Sequence, residues 1–219
     1  MRIFVAGASG VIGTRLVPLL VAEGHVVAGM TRSAGKAGLL AGLGAEPVVA
    51  DVFDTEALTR AVVSFAPEVI FHQLTDLPDN AGEIAAYGDR NDRMRSEGTR
   101  NLLAVAAAAG AARVIAQSIS WELPSPSRRA VTAAHERAVL AAGGVVIRYG
   151  QLYGPGTYYP SAPPDPPRIH VDDAAHQSLP ALTAPAGVTL VADDRAAGDH
   201  EAGHHEAGGR AAGNRKDQP

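Results

Sequence analysis

Apolar and polar positions along this chain follow two alternating periods. Arg2–Gly7 ("RIFVAG") is a short apolar run stopped by glycine, the pattern of a strand buried on both faces. From Val11 to Glu23 the apolar residues Ile12, Leu16, Leu19 and Leu20 recur at helical spacing, and Gly24 supplies a stop. Pro18 lies inside that stretch and removes the bond to the Thr14 carbonyl, so a kink is expected there. The same pairing repeats. "HVVAGMTR" predicts a second strand, Ser33 to Gly44 a weak glycine-rich helix, and "AEPVVAD" a third strand. Asp54 is placed to cap "TEALTRAVVSF", a helix ended by Pro67, and "EVIFHQL" predicts the fourth strand. A longer helix is expected over Arg90–Ala109, with Met94, Leu102, Leu103 and Val105 facing inward. "ARVIAQS" reads as a fifth strand, Val131–Ala142 as a helix, and "GVVIRYG" as a sixth strand.

Strands joined by helices imply an α/β fold, because parallel strands need crossovers. The expectation is a doubly wound, mostly parallel sheet with helices on both faces over residues 1–150. Residues 151–194 differ. "YGPGTYYPSAPPDPPR" is too proline-rich to continue the pattern, "IHVDDAAHQSLPALTA" supports one short helix, and "GVTLVAD" one more strand. Residues 195–219 carry no large apolar side chain, which predicts a disordered polar tail.

Composition narrows the classes. The chain has 219 residues, 46% hydrophobic and 19% charged, enough for one buried core. A formal charge of −4 argues against a nucleic-acid partner, and the absence of cysteine excludes disulfides and thiolate chemistry. No apolar run approaches the roughly 20 residues of a membrane span, and no leader pattern precedes "RIFVAG". The expected location is the cytoplasm.

Candidate chemistry begins with "GASGVIG". Gly7 permits a tight turn out of the first strand, Gly10 lets backbone amides approach a pyrophosphate, and Gly13 lets the helix pack closely. The helix N-terminus adds unpaired donors and a partial positive charge. This loop follows a strand and opens a helix, the context that makes such a triplet informative. An NAD site places an acid about 20 residues past the loop. Here no acid occurs between Glu23 and Glu46, and Arg32, helped by Lys36, suits a 2′-phosphate. The expected cofactor is NADP, with NAD as the alternative. Asp51 is read as an adenine contact or a turn residue.

The ordered motifs "GASGVIG", "VVAD", "FHQLTDL", "NDRMRSEGTRNLL", "VIAQSIS", "VVIRYGQLYGPGTYY" and "IHVDDAA" resemble the extended or atypical short-chain dehydrogenase/reductases of the epimerase/dehydratase type. The resemblance implies a Rossmann-type domain with a reduced C-terminal substrate lobe, acting on a small carbonyl, hydroxyl or sugar-type substrate. It implies that Gly7, Gly10 and Gly13 hold the pyrophosphate, and Ser9, Val11, Ile12, Asp51 and Val52 join them as cofactor-binding candidates. Gln73, Leu74 and Thr75 would line the cofactor after the fourth strand, and Gln151 and Tyr153 would lie near the nicotinamide. Ser118 matches the catalytic serine. Many relatives pair through their long helices, so a homodimer is an expectation.

Two departures stand out. The family's acid is a tyrosine activated by a lysine four residues on, and no such spacing occurs in this chain. Alignment by Glu136 puts Arg128 at the tyrosine position and Thr132 at the lysine position. His135 is the substitute acid to weigh, against its blander reading as an exposed histidine on an amphipathic helix. The second departure is length: the polar tail begins where the family continues with helices, as at a truncated or frame-shifted end. A protein that binds NADP(H) without turnover is the competing expectation. Three smaller features remain. Trp121 either walls a substrate pocket or closes the core. His170 with Asp172 and Asp173 reads as a helix junction capped by Asp, and His200, His204 and His205 read as solvated tail rather than a metal site.

Overall fold

A computed structural model describes residues 1–193. The expected tail at 195–219, with its three histidines, lies outside the described residues.

Six strands form in the predicted order: β1 (Arg2–Ala6), β2 (Val26–Thr31), β3 (Glu46–Val49), β4 (Val69–His72), β5 (Arg113–Ile119) and β6 (Val145–Tyr149). β7 (Gln151–Tyr153) and β8 (Arg168–His170) then pair with each other, and β9 (Gly187–Val191) returns to the main sheet. That sheet has seven strands, all parallel, in the order β3-β2-β1-β4-β5-β6-β9. The crossovers are α1 (Gly13–Ala22), α2 (Ala37–Gly42), α3 (Thr55–Phe65), α4 (Gly88–Arg93), α5 (Thr99–Ala109), α6 (Pro126–Ala141) and α7 (Val171–His176).

Strand alternation sorts the helices onto two faces. Ile3 and Val5 of β1 pack in one core with Leu16 and Leu20 of α1, Leu40 of α2 and Ala174 of α7. Phe4 and Ala6 pack in another with Leu58 and Val62 of α3, and with Met94, Leu102 and Val105. Each fully buried side chain of this kind contributes about 1.5–3 kcal/mol of transfer free energy.

Several expectations shift. α1 begins at Gly13 rather than Val11, because Val11 and Ile12 are still in the turn, and the helix runs unbroken through Pro18. α6 begins at Pro126, five residues before the apolar spacing becomes visible at Val131. Its start is set by Ser125, whose side chain accepts from the Arg128 amide, and by proline in the first turn. The long helix is not uniform: Met94–Gly98 form a π-helical turn between α4 and α5, and it buries Met94 and Arg95 side by side. The cap of α7 is the His170 ring, which accepts from the Asp172 amide at 3.3 Å, rather than an aspartate. The β7–β8 pair was not expected, since the prolines between its strands mask a local pairing.

Candidate functional site

Strand order reverses at β1, which lies between β2 and β4, so the carboxyl ends of these strands leave a crevice. The glycine loop occupies it. Gly7 has φ +90°, and a Cβ there would stand 2.6 Å from the Gln73 carbonyl oxygen. Gly10 donates its amide to the Gly7 carbonyl at 3.0 Å and closes the turn. A Cβ on Gly13 would strike the carbonyls of Gly7 and Ala8, so only glycine lets α1 start this close to the loop. Among the described residues the amides of Val11 and Ile12 donate to no backbone carbonyl. Free amides at a helix start in a cradle that side chains would fill suit a diphosphate.

A cleft of about 890 Å³ opens above this loop. Gly7, Ser9, Gly10, Val11 and Ile12 line one wall, and Gln73, Leu74 and Thr75 continue it after β4. Ser9 is tied to β2 by donating to the Thr31 hydroxyl at 2.9 Å. Ser118 and Gln151 line the same cleft, and Trp121 walls it. Other predicted residues do not line it. Gly13 lies beneath the loop in its packing role. Asp51 serves its turn, accepting from the Phe53 amide at 3.0 Å. Val52 is buried in the core, and its carbonyl accepts from the Asn101 amide group at 3.0 Å. Tyr153 packs edge-on against His170 with ring centroids 5.2 Å apart.

Arg32 lines the cleft at the end of β2, where it donates to Asp76 at 3.2 Å. Arg90 grips the same carboxylate with two bonds of 3.0 and 3.1 Å, and Asn91 accepts from the Asp76 amide. Asp76 is only 7% exposed, so it anchors both arginines and fixes where Arg32 stands. Sequence reasoning missed this residue; its signal was an acid directly after the Gln73–Thr75 stretch.

The Ser118 hydroxyl donates to Glu136 Oε1 at 2.6 Å, and Arg148 holds both oxygens of that carboxylate. Burial opposes ionisation of Glu136, but the bonds from Arg148 and Ser118 outweigh it and hold the carboxyl below the usual carboxylate range. Among the described residues no tyrosine–lysine pair borders this network. Arg128 lines the cleft at the aligned tyrosine position, and Thr132 donates to the Arg128 carbonyl at 3.0 Å. The nearby phenols are engaged elsewhere. Burial pushes Tyr149 up to about 12, and its hydroxyl bonds Ser178 at 2.6 Å and accepts from Gln73. Tyr158 donates to the Pro78 carbonyl.

His135 overturns the surface reading: it is 2% exposed and does not line the cleft. Its Nε2 contacts the Gln117 carbonyl at 3.0 Å and must therefore carry the proton. Its Nδ1 then accepts from Thr99 at 2.7 Å, and Thr99, its one proton used, accepts from His72 Nε2 at 3.0 Å. His72 Nδ1 takes the Leu74 amide at 3.3 Å, so a chain of neutral rings ends at the cleft wall. Burial first, then the neighbouring His135 and Arg95, pushes His72 down to about 3. Both His135 ring nitrogens are bound, and the ring does not line the cleft.

A family model described as NAD(P)H-binding matches residues 7–142. The chain belongs to the NAD(P)H-binding family. A 3-diazoavenalumate denitrifying reductase from a Streptomyces species is 36% identical over 242 residues, covering 90% of this chain and 77% of the relative. The NAD(P)H-binding fold is shared with solved epimerases. The Thermus thermophilus UDP-glucose 4-epimerase, in complex with NAD, aligns with TM-score 0.71 at 21% identity over 88% of this chain and 78% of that one. The Thermotoga maritima UDP-glucose 4-epimerase, with UDP-glucose, gives 0.72 at 20% over 89% and 78%. At these identities the likeness is one of fold, a Rossmann-type parallel sheet with helices on both faces. The chain spans about 78% of the length of each of these enzymes.

Proposed function

We propose that this protein is an NADP(H)-dependent reductase of the short-chain dehydrogenase/reductase type, with NAD as the alternative cofactor. The observation that carries the reading is that the glycine loop and Ser118 border one cleft. A bound nicotinamide would supply or take the hydride. Gly7, Gly10 and Gly13 make the room for its diphosphate, and Val11 and Ile12 offer the free amides. Arg32, anchored by Asp76, stands where a 2′-phosphate needs a cation, and no acid replaces it there. Arg32 and Asp76 support NADP, whereas Asp51 and Val52, two further cofactor-binding candidates, lend no lining contact.

The substrate in this reading is a small carbonyl, hydroxyl-bearing or sugar-type molecule. Ser118 commits its proton to Glu136 and is fully buried where it borders the cleft, so in this reading a substrate hydroxyl must open that contact to reach its oxygen. Without a tyrosine–lysine relay, the reactions best served are those in which hydride transfer needs no enzyme-bound phenol. A reductase at 36% identity supports hydride addition over epimerisation. The missing pair favours a second reading, an NADP(H)-binding sensor without turnover. NADPH titration by fluorescence, followed by NADPH consumption across aldehydes, ketones and nucleotide sugars, decides between them. Turnover lost in Ser118→Ala supports the reductase; tight binding with no turnover supports the sensor. The reading includes a cytoplasmic location and a homodimer, and sedimentation of the purified chain tests the latter.

A further inference from the structure

Arg95 is a buried cation that the fold leaves short of a partner. It lies in the π-helical turn, is 7% exposed, and its Nε has no hydrogen-bond partner among the described residues. A guanidinium stays charged at ordinary pH, and a desolvated charge without a counter-ion is costly to keep. Burial is the main influence on it and pulls its pKa down, against the distant pull of Asp92 and Glu136. Glu136 is held by Arg148, and Asp92, which lines the same cleft, stands 3.7 Å from Arg128 without a hydrogen bond to either arginine.

Arg95 lines the cleft together with Arg128, Ser118 and Trp121. Arg128 is loosely held, since its contacts to Asp89 and Asp92 are 3.9 and 3.7 Å, too long for hydrogen bonds. Its guanidinium occupies space that a side chain at position 88 would take, so Gly88 leaves room for it. Two forks without a side-chain hydrogen bond therefore border one cleft, whose apolar wall includes Trp121, Leu77 and Leu123.

We infer that Arg95 and Arg128 form an anion subsite for the substrate, taking a carboxylate carried on a flat apolar body. This rests on the cofactor reading in one respect: the glycine loop accounts for the cofactor's diphosphate, so the second anion in the cleft belongs to the substrate. Planar guanidinium forks match a carboxylate bidentately, and a neutral amide of the same shape cannot complete the pairing. Arg128 at the aligned tyrosine position is then an exchange of a proton donor for a substrate anchor.

The test is calorimetric titration of the full chain with trans-cinnamate and with cinnamamide, with and without NADPH. The wild type is expected to prefer the acid by about tenfold or more. Arg95→Met and Arg128→Gln should each collapse that ratio toward one. Should Arg95→Met fail to fold, Arg128→Gln carries the test alone. Equal affinity for acid and amide, no binding of either by the wild type, or an unchanged ratio in a folded variant overturns the subsite. NADPH titration of the same samples separates the two claims. Acid preference without NADPH binding sinks the cofactor reading and spares the subsite; NADPH binding without acid preference does the reverse.

Discussion

Ser118 and Glu136 are joined by a 2.6 Å hydrogen bond in which the serine hydroxyl is the donor. This sets the protonation logic of the cleft floor. Glu136 is held ionised by its bonds from Arg148, so the Ser118 proton is committed to that carboxylate. Glu136→Gln should cost about 1–3 kcal/mol in urea unfolding, less than a fully buried pair because the Arg148 side chain is 45% exposed. A depressed carboxyl stabilises the fold fully above the ordinary carboxylate range, and that contribution fades as pH falls through the lowered value. The wild type should therefore lose its advantage over Glu136→Gln in acid. A constant difference across pH would refute the assignment.

Glycine substitutions should split by what a Cβ would meet. Gly13→Ala drives a methyl group into the carbonyls of Gly7 and Ala8, and Gly7→Ala adds an unfavourable φ of +90°. Both should lower stability by roughly 1–3 kcal/mol and weaken nucleotide binding about tenfold or more. Gly24 has φ +81° but open space around it, so Gly24→Ala should cost only about 1 kcal/mol and leave binding alone. Equal effects of all three on NADPH affinity would remove the loop's special role.

Arg32→Ala tests the cofactor preference. If its guanidinium meets a 2′-phosphate, NADPH affinity should fall about tenfold or more while NADH affinity stays level. Parallel loss for both nucleotides would cancel the preference for NADP. Asp76→Asn should release Arg32 and Arg90 together and produce a smaller loss of the same kind.

His72 makes the fold acid-sensitive. Its pKa is about 3 when folded against an ordinary 6.5, so the unfolded chain takes the proton first as pH falls. Stability is unaffected above 6.5 and declines progressively toward pH 3, by on the order of 5 kcal/mol in total. His72→Gln should flatten that slope in thermal melts between these pH values. Thr99→Val breaks the chain between the two rings and should cost about 1–3 kcal/mol at neutral pH. A pH-independent melting temperature in the wild type would contradict the neutral-ring assignment.

The sheet was legible because its signals are local. β1 and β4 are unbroken apolar runs, Asp54 caps α3 as read, accepting from the Ala57 amide, and the glycine triplet sits at a strand–helix junction. Helix starts set by polar caps, such as Ser125 before α6, carry no apolar period and were placed late. The cleft was half legible. Gly7, Ser9, Gly10, Val11, Ile12 and Gln73, which lie in or beside sequence motifs, line the cleft. Partners fixed across the fold did not: Asp76 meets Arg32 from 44 positions away, and Glu136 meets Ser118 from 18. His135 was misread as exposed because α6 buries its third and fourth turns against β5 through polar bonds, which hydrophobic spacing cannot report.

The central claim is that the loop from Gly7 to Gly13 holds the diphosphate of a nicotinamide nucleotide. Direct titration of the folded chain with NADPH and with NADH, read by nucleotide fluorescence and by melting temperature, tests it. Saturable binding that raises the melting temperature, tighter for NADPH and lost in Gly13→Ala, is the predicted result. A folded protein whose melting temperature neither nucleotide shifts at millimolar concentration would contradict it.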